Sequence, residues 1–349
     1  MKSITVTDFG KTCDGRGTKL YTLENENGMK VALTDFGGAI VKIEVPDRDG
    51  NLTDVVLGYD DAAGYERGTA SFGAPVGRCA NRIGTASFEI NGVQYELAKN
   101  DNGNNLHSGV DYYNKRIWVV EGERDNEITF VMHSPHMDQG FPGMLDMHVN
   151  YTLTDNNELE IRYYAVPDKD TIINMTNHSY FNLNGHKGDV ILNHKVTIDA
   201  DYFTRATDES IPTGELVDVT GTVMDFRTAT ELGKGIDADY EATKLGSGYD
   251  HNWVLKNNGK FDKVACAVSE ETGIGMEVWT DLPGMQMYTA NFLGGEKGKD
   301  EAVYERRSAV CFETQFFPDA VHHENFVSPV CKAGSAYNTK TTFKFFTIG

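Results

Sequence analysis

The chain has 349 residues, 40% of them hydrophobic and 24% charged, with a formal net charge of −20 and a pI near 4.8. It is long enough to bury a large core, and one all-β unit of this size is as ordinary as two smaller domains. The acidic balance argues against nucleic acid and anionic membrane surfaces as partners, because both recruit proteins through Lys/Arg patches.

The opening residues Met1-Lys2-Ser3-Ile4-Thr5 lack an apolar leader, and no run approaches the ~18 apolar residues of a membrane span. Five cysteines, an odd number, are widely spaced with no C-x-x-C pair. That pattern points to free thiols in a reducing compartment, not to a disulfide framework or a zinc knuckle. The cytoplasm is the expected location.

Taken in chain order, residues 31–33, 39–45 and 54–58 read as strands, with the turn cluster 46–50 before the last of them. A short helix is predicted within 60–70. Residues 86–90 and 93–97 flank Asn91-Gly92, a strong hairpin signal. Further hairpins turn at Arg124-Asp125-Asn126 and at Asp155-Asn156-Asn157, where Val149, Tyr151 and Leu153 alternate on one side and Leu159, Ile161 and Tyr163 on the other.

Residues 173–183 form a strand-like run that packs His178 among Asn174, Thr176, Asn177, Ser179, Tyr180 and Asn182. Burying such groups without partners costs about 1–3 kcal/mol each, so a dense hydrogen-bond network or a polyhydroxylated ligand such as a sugar should meet them. A second short helix is predicted within 227–244. Glycine and proline are spread along the chain with no linker or repeat. The expectation is one antiparallel β-sandwich domain over residues 1–349, with few short helices and function carried on its loops.

Familiar cofactor devices are missing. The run Gly294-Gly295-Glu296-Lys297-Gly298-Lys299-Asp300 is one residue short of a phosphate loop and ends in Asp. Gly273-Ile274-Gly275 lacks the third glycine of a dinucleotide fingerprint, and Gly246-Ser247-Gly248 has the wrong spacing for a nucleophile elbow. The pairs His133/His136 and His322/His323 have no partners at familiar ligand spacing and read as surface loop histidines. Neither a cofactor nor a metal is expected.

Six polar clusters remain: residues 77–84, 104–109, 176–180, 248–252, 284–288 and 312–320. Each alone has a structural explanation. Arg78 and Arg82 can pair with surface acids, His107 and Asp250 can shape loops, His178 can be a core histidine, and Glu313 can bridge strands. Trp279 reads as a core tryptophan before it reads as a sugar platform.

Together and in this order, the clusters resemble the aldose 1-epimerase (galactose mutarotase) family. The runs Asn177-His178-Ser179-Tyr180-Phe181-Asn182-Leu183 and Glu313-Thr314-Gln315-Phe316-Phe317-Pro318-Asp319-Ala320 are the specific parts, and Gly77-Arg78-Cys79-Ala80-Asn81-Arg82-Ile83 supports them. The resemblance extends from about residue 10 to the C-terminus. It implies an all-β antiparallel supersandwich with an open sugar groove, and an isomerase that interconverts the α and β anomers of free aldohexoses. It further implies Glu313 as base at O1, His178 as acid at O5 and His107 in support, with Asn81, Arg82, Tyr180, Asp250 and Gln286 binding the monosaccharide; Arg78 is a weaker candidate. The oligomeric state is not indicated.

Two departures stand out: Ser108 occupies a position where the family often has glycine, and Val321-His322-His323 follows Pro318-Asp319-Ala320 where asparagine is common. Two other readings compete. A hexose 6-phosphate epimerase would need further cations for the phosphate. A non-catalytic sugar-binding protein would not need both His178 and Glu313.

Overall fold

Three antiparallel sheets, with several two-stranded pairings between them, make up the fold in the computed structural model, which describes residues 4–349. The largest has nine strands in the spatial order Val119–Arg124, Glu127–Ser134, Leu145–Leu153, Glu158–Ala165, Tyr337–Thr347, Ile274–Thr280, Asp262–Val268, Lys195–Ile198 and Thr230–Glu231. A five-stranded sheet runs in chain order from Thr5–Lys11 to Leu52–Asp54. The second five-stranded sheet has the order Pro212–Asp218, Ala200–Ala206, Asp250–Leu255, Gly284–Tyr288 and Cys311–Gln315.

The period-2 pattern of the sequence becomes the buried face of the large sheet. Leu145, Met147, Val149, Tyr151 and Leu153 alternate with more exposed neighbours, as do Leu159, Ile161, Tyr163 and Ala165. These residues join Phe343, Phe345, Trp253 and Met285 in one contiguous core, where each large side chain contributes about 1.5–3 kcal/mol by leaving water. Gly284–Tyr288 and Cys311–Gln315 are buried at every position. Their polar side chains therefore project into an interior that must satisfy them.

The hairpins form as predicted. Ile90 pairs with Val93 across Asn91 and Gly92, whose φ values of 54° and 76° are those of a type I′ turn. Arg124 pairs with Glu127, and Leu153 with Leu159. The predicted strand 54–58 is shorter: Leu52–Asp54 ends the ladder and only Val56 bridges onward, to Phe181. The first helix is Ala62–Arg67, capped by Asp61, whose carboxylate accepts from Gly64 N at 2.7 Å. Of the second helix only Glu241–Leu245 is α-helical. Upstream, Thr230–Glu231 joins the nine-stranded sheet and Leu232–Lys234 is a 3₁₀ turn, with Gly233 and Gly235 weakening helical continuity there. No helix among the described residues is long and apolar enough to cross a membrane.

The run 173–183 is not one strand. Only Thr176–Asn177 pairs as a strand, with Pro75–Val76, while Asn174 and Phe181 make isolated bridges. Its amides are met by backbone. Asn174 exchanges hydrogen bonds with Phe316 N and O, Asn177 Nδ2 donates to Gly73 O, and Asn182 Nδ2 donates to Asp189 O and Ser308 O. The network thus ties this segment to its surroundings, and His178 and Tyr180 are the members that line a cavity.

Candidate active site

A cavity of about 290 Å³ opens over the edge of the second five-stranded sheet, and all eight expected site residues line it: Asn81, Arg82, His107, His178, Tyr180, Asp250, Gln286 and Glu313. Sheet register brings three of them together. Gln286 lies directly opposite Glu313 on the neighbouring strand, and Asp250 starts the next strand over, opposite Tyr288. Gln286 Nε2 donates to Asp250 Oδ1 at 2.8 Å, which fixes the amide and leaves the second carboxylate oxygen of Asp250 for another donor.

Two loops supply the opposite wall. Arg82–Ile83 pairs with Asn105–Leu106, placing Asn81 and His107 side by side, both left-handed with φ of 59° and 53°. The two residues lock reciprocally: Asn81 N donates to the His107 ring at Nδ1 at 3.0 Å, and His107 N donates to Asn81 O at 2.9 Å. Ser108 adds a second clamp, accepting from Cys79 N at 2.8 Å and donating to Cys79 O at 3.0 Å. The hydroxyl at this position therefore braces the histidine loop. Arg82 Nε is paired with Asp101 Oδ2 at 2.7 Å. Asp319 joins the Glu313 strand to the same loop: its backbone N donates to Arg82 O, and its carboxylate accepts from Gly84 N and pairs with His322.

His178 is held on several sides. The Tyr180 ring stacks on it at 5.0 Å with an interplanar angle of 20°, and His107 meets it edge-on at 5.5 Å. Its Nε2 lies 3.6 Å from Glu313 Oε1, and its Nδ1 lies 3.6 Å from Cys311 Sγ. Glu313 is 2% exposed, and its Oε2 has no hydrogen-bond partner among the described residues. An orphaned buried carboxylate oxygen on a cavity floor is costly to the free protein and calls for a ligand donor.

Burial dominates the titration of the site. It pushes the Glu313 carboxyl well above the usual range, with Asp250 adding repulsion and Arg82 opposing it. It draws His178 down to about 4 and places His107 well below the ordinary imidazole value, His178 and Arg82 adding to the effect on His107.

His107, His178 and Glu313 offer ligand atoms within 4.8 Å of one another, the donor types of a His₂Glu metal centre. The polarity is unfavourable, however. Because His107 Nδ1 accepts from Asn81 N, the neutral ring carries its proton on Nε2, the other nitrogen. A metal would need a lone pair there, and metal-bound histidines donate from the far nitrogen instead of accepting. The trio is better suited to moving protons.

Several residues lie elsewhere. Arg78 is buried away from the cavity, donating to Pro142 O, Gly143 O and Thr171 Oγ1, so it is neither a surface ion-pair partner nor a sugar ligand. Trp279 is not a core residue: it is half-buried on the large sheet, stacks on Phe261 at 6.1 Å and donates to Glu277 Oε2. The cavity also has a rim that sequence reasoning missed, formed by Thr69, Ala70, Ser71, Tyr288, Phe292 and Leu293. Tyr288 was within reach of strand alternation, since it shares a face with Gln286. Phe292, 69% exposed, carries no local signal.

Comparison with known proteins finds relatives along nearly the whole chain. The aldose 1-epimerase family model matches residues 19–344. Galactose mutarotase of Bos taurus is 41% identical over 349 residues, covering 99% of each chain, and aldose 1-epimerase of Escherichia coli K12 is 36% identical over 335 residues, covering 95% of this chain and 96% of that one. A solved aldose epimerase homologue from C. elegans superposes with a TM-score of 0.88 at 30% identity, over 95% of this chain and 100% of that one. A galactose 1-epimerase structure from Lactobacillus acidophilus gives a TM-score of 0.88 at 23% identity over the whole of both chains, which shows the shared fold. This chain belongs to the aldose 1-epimerase family of isomerases.

Proposed function

We propose that the protein interconverts the α and β anomers of free aldohexoses such as glucose and galactose, with Glu313 as base and His178 as acid. The observation that carries the reading is the buried pairing of His178 Nε2 with Glu313 Oε1 at 3.6 Å in the cavity wall, beside a carboxylate oxygen with no hydrogen-bond partner among the described residues.

In ring opening Glu313 takes the proton from O1, the C1–O5 bond breaks as C1=O1 forms, and protonated His178 gives its proton to O5. Rotation about C1–C2 presents the other face of the aldehyde. On closure O5 attacks C1, His178 recovers the proton from O5, and Glu313 returns one to O1. Nothing is consumed.

Burial works against the charged pair in the free protein: with the carboxyl driven up and the imidazole driven down, the neutral form gains on the charged one. The neutral form, Glu313 protonated and His178 not, is the state that ring opening leaves behind. The charged form is favoured when sugar hydroxyls donate to the carboxylate. His107, with its proton on the cavity side, is assigned to support near the anomeric centre. Asn81, Arg82, Tyr180, Asp250 and Gln286 are assigned to the sugar hydroxyls.

Arg82 is the lone Lys or Arg among the described lining residues and is already paired with Asp101. That favours a free sugar over a sugar phosphate. We take residues 1–349 as one domain, a reading supported by the nine-stranded sheet, which draws strands from Val119 to Thr347. The cytoplasm is taken as its compartment, a reading supported by five unpaired cysteines.

Polarimetry of freshly dissolved α-D-glucose and α-D-galactose tests the proposal. Acceleration that disappears in Glu313→Gln supports it. No acceleration with either sugar overturns it, and sugar binding without turnover would favour a binding protein.

A further inference from the structure

The strand Cys311–Gln315 bears on both nitrogens of His178. Cys311 and Glu313 are two residues apart and so share one face of the strand. The sulfur lies 3.6 Å from Nδ1, and the carboxylate lies 3.6 Å from Nε2. Cys311 is fully buried, and burial next to Glu313 and Asp250 keeps its thiol well above the ordinary value, hence protonated. The other groups facing the ring are the backbone carbonyl of His178 itself and three rings, Tyr180 on its own segment, His107 from the loop and Tyr288 from the adjacent strand, at 5.0, 5.5 and 6.3 Å.

We propose that Cys311 is a positioning residue for His178: its sulfur accepts the Nδ1–H and so makes Nε2 the nitrogen that exchanges the proton with substrate.

The inference rests on the acid and base roles given above. For His178 to recover a proton at Nε2 during ring closure, its neutral form must carry hydrogen on Nδ1, and which nitrogen holds the proton is set by the partner of the other. Nδ1–H then stays bonded to sulfur through both charge states, while Nε2 alternates between lone pair and N–H. A thiol suits this task because sulfur is a weak acceptor. It can bias the tautomer without the strong stabilisation of imidazolium that an oxygen would bring, so the ring remains a ready donor toward O5.

Three variants and two readouts test this. In ¹⁵N NMR the wild-type neutral His178 should carry its proton on Nδ1, and Cys311→Ala should shift it toward the Nε2–H form. In polarimetry Cys311→Ala should lower kcat about tenfold with KM little changed, the upper end of what one hydrogen bond contributes. Cys311→Ser, which supplies a stronger acceptor of similar shape, should move the basic limb of the kcat profile to higher pH. Cys311→Val, which fills the space without an acceptor, should behave like Ala and so separates packing from hydrogen bonding.

A wild-type neutral ring protonated on Nε2, or an unchanged pH profile and kcat across all three variants, overturns the proposal. Because the tautomer is read without turnover, an inactive wild type would refute the functional reading while still deciding the Cys311 contact.

Discussion

Two buried acid–base pairs tie distant parts of this chain together, and they are built differently. Lys299 is fully buried against Asp54 at 2.6 Å. Its Nζ also donates to Val41 O at 2.5 Å, and Asp54 Oδ1 accepts from Ile43 N at 3.2 Å. His178 and Glu313 are equally enclosed but stand 3.6 Å apart, with Glu313 Oε2 unpartnered among the described residues. The first pair is closed by its own short contact, because Lys299 Nζ meets the Asp54 Oδ2 that has no other partner among the described residues, and with backbone on either side it is committed to the fold. The second holds capacity in reserve, which is costly in the free protein and useful when a ligand arrives.

The sharpest way to separate the two pairs is to neutralise the second. Glu313→Gln and His178→Asn should each lower the rate of mutarotation by about 10²–10⁴-fold, measured by polarimetry, without lowering the melting temperature. A similar loss of activity with a collapse of stability would mean that this pair is structural too.

The reverse experiment removes Lys299. Lys299→Met strands the Asp54 carboxylate in the interior and should cost about 3–5 kcal/mol in urea unfolding, while the folded fraction retains nearly normal kcat. Adding Asp54→Asn, which keeps an acceptor for Ile43 N, should recover most of the stability. A double variant as unstable as the single one would argue that packing, not the stranded charge, was lost.

Acid should expose a smaller difference. His178 and His251 are drawn down to about 4 and His194 to about 3, in each case first by burial. Unfolded histidines protonate near the ordinary value of about 6.5, so below it the unfolded state binds more protons. The stabilisation from these depressed groups is present above that pH and is lost as pH falls toward their folded values. Urea midpoints should therefore drop from pH 7.5 to pH 4.5. Glu313, displaced upward, has the opposite sign: its contribution is present below the ordinary carboxylate value and lost as pH rises through its folded value. The Gln variant should consequently gain on wild type as pH increases, and a constant gap would contradict the raised carboxyl.

The smallest effect concerns recognition. Tyr180→Phe keeps the ring that stacks on His178 and removes the hydroxyl, so KM should rise by the factor of about 2–10 that one hydrogen bond confers, with kcat nearly unchanged. A fall in kcat instead would assign the hydroxyl to the reaction.

Much of this molecule was legible locally. The Asn91-Gly92 turn and the alternation of Val149, Tyr151 and Leu153 report on neighbours a few residues away, and period and turn chemistry capture those contacts. The composition of 173–183 was also informative, but only in part: a crowd of amides signals that partners exist, and it cannot say that Phe316 O, Gly73 O and Ser308 O are those partners. Arg78 and Arg82 are four residues apart and look alike in sequence. One enters the interior and the other reaches the cavity, because the surrounding loops, drawn from across the chain, decide which way each points. The Phe292 rim was invisible for the same reason, since it exists only where residues 69–71 and 288–293 come together around one cavity. The motif resemblance named eight of the residues that line the cavity; local pattern alone would have left them scattered.

The strand Tyr337–Thr347 lies in the middle of the nine-stranded sheet, between Glu158–Ala165 and Ile274–Thr280. Without it each flanking ladder has an open edge, so the two halves of the sheet are joined to one another through this one strand. Deleting residues 337–347 would leave two exposed pairing edges, prone to join other chains.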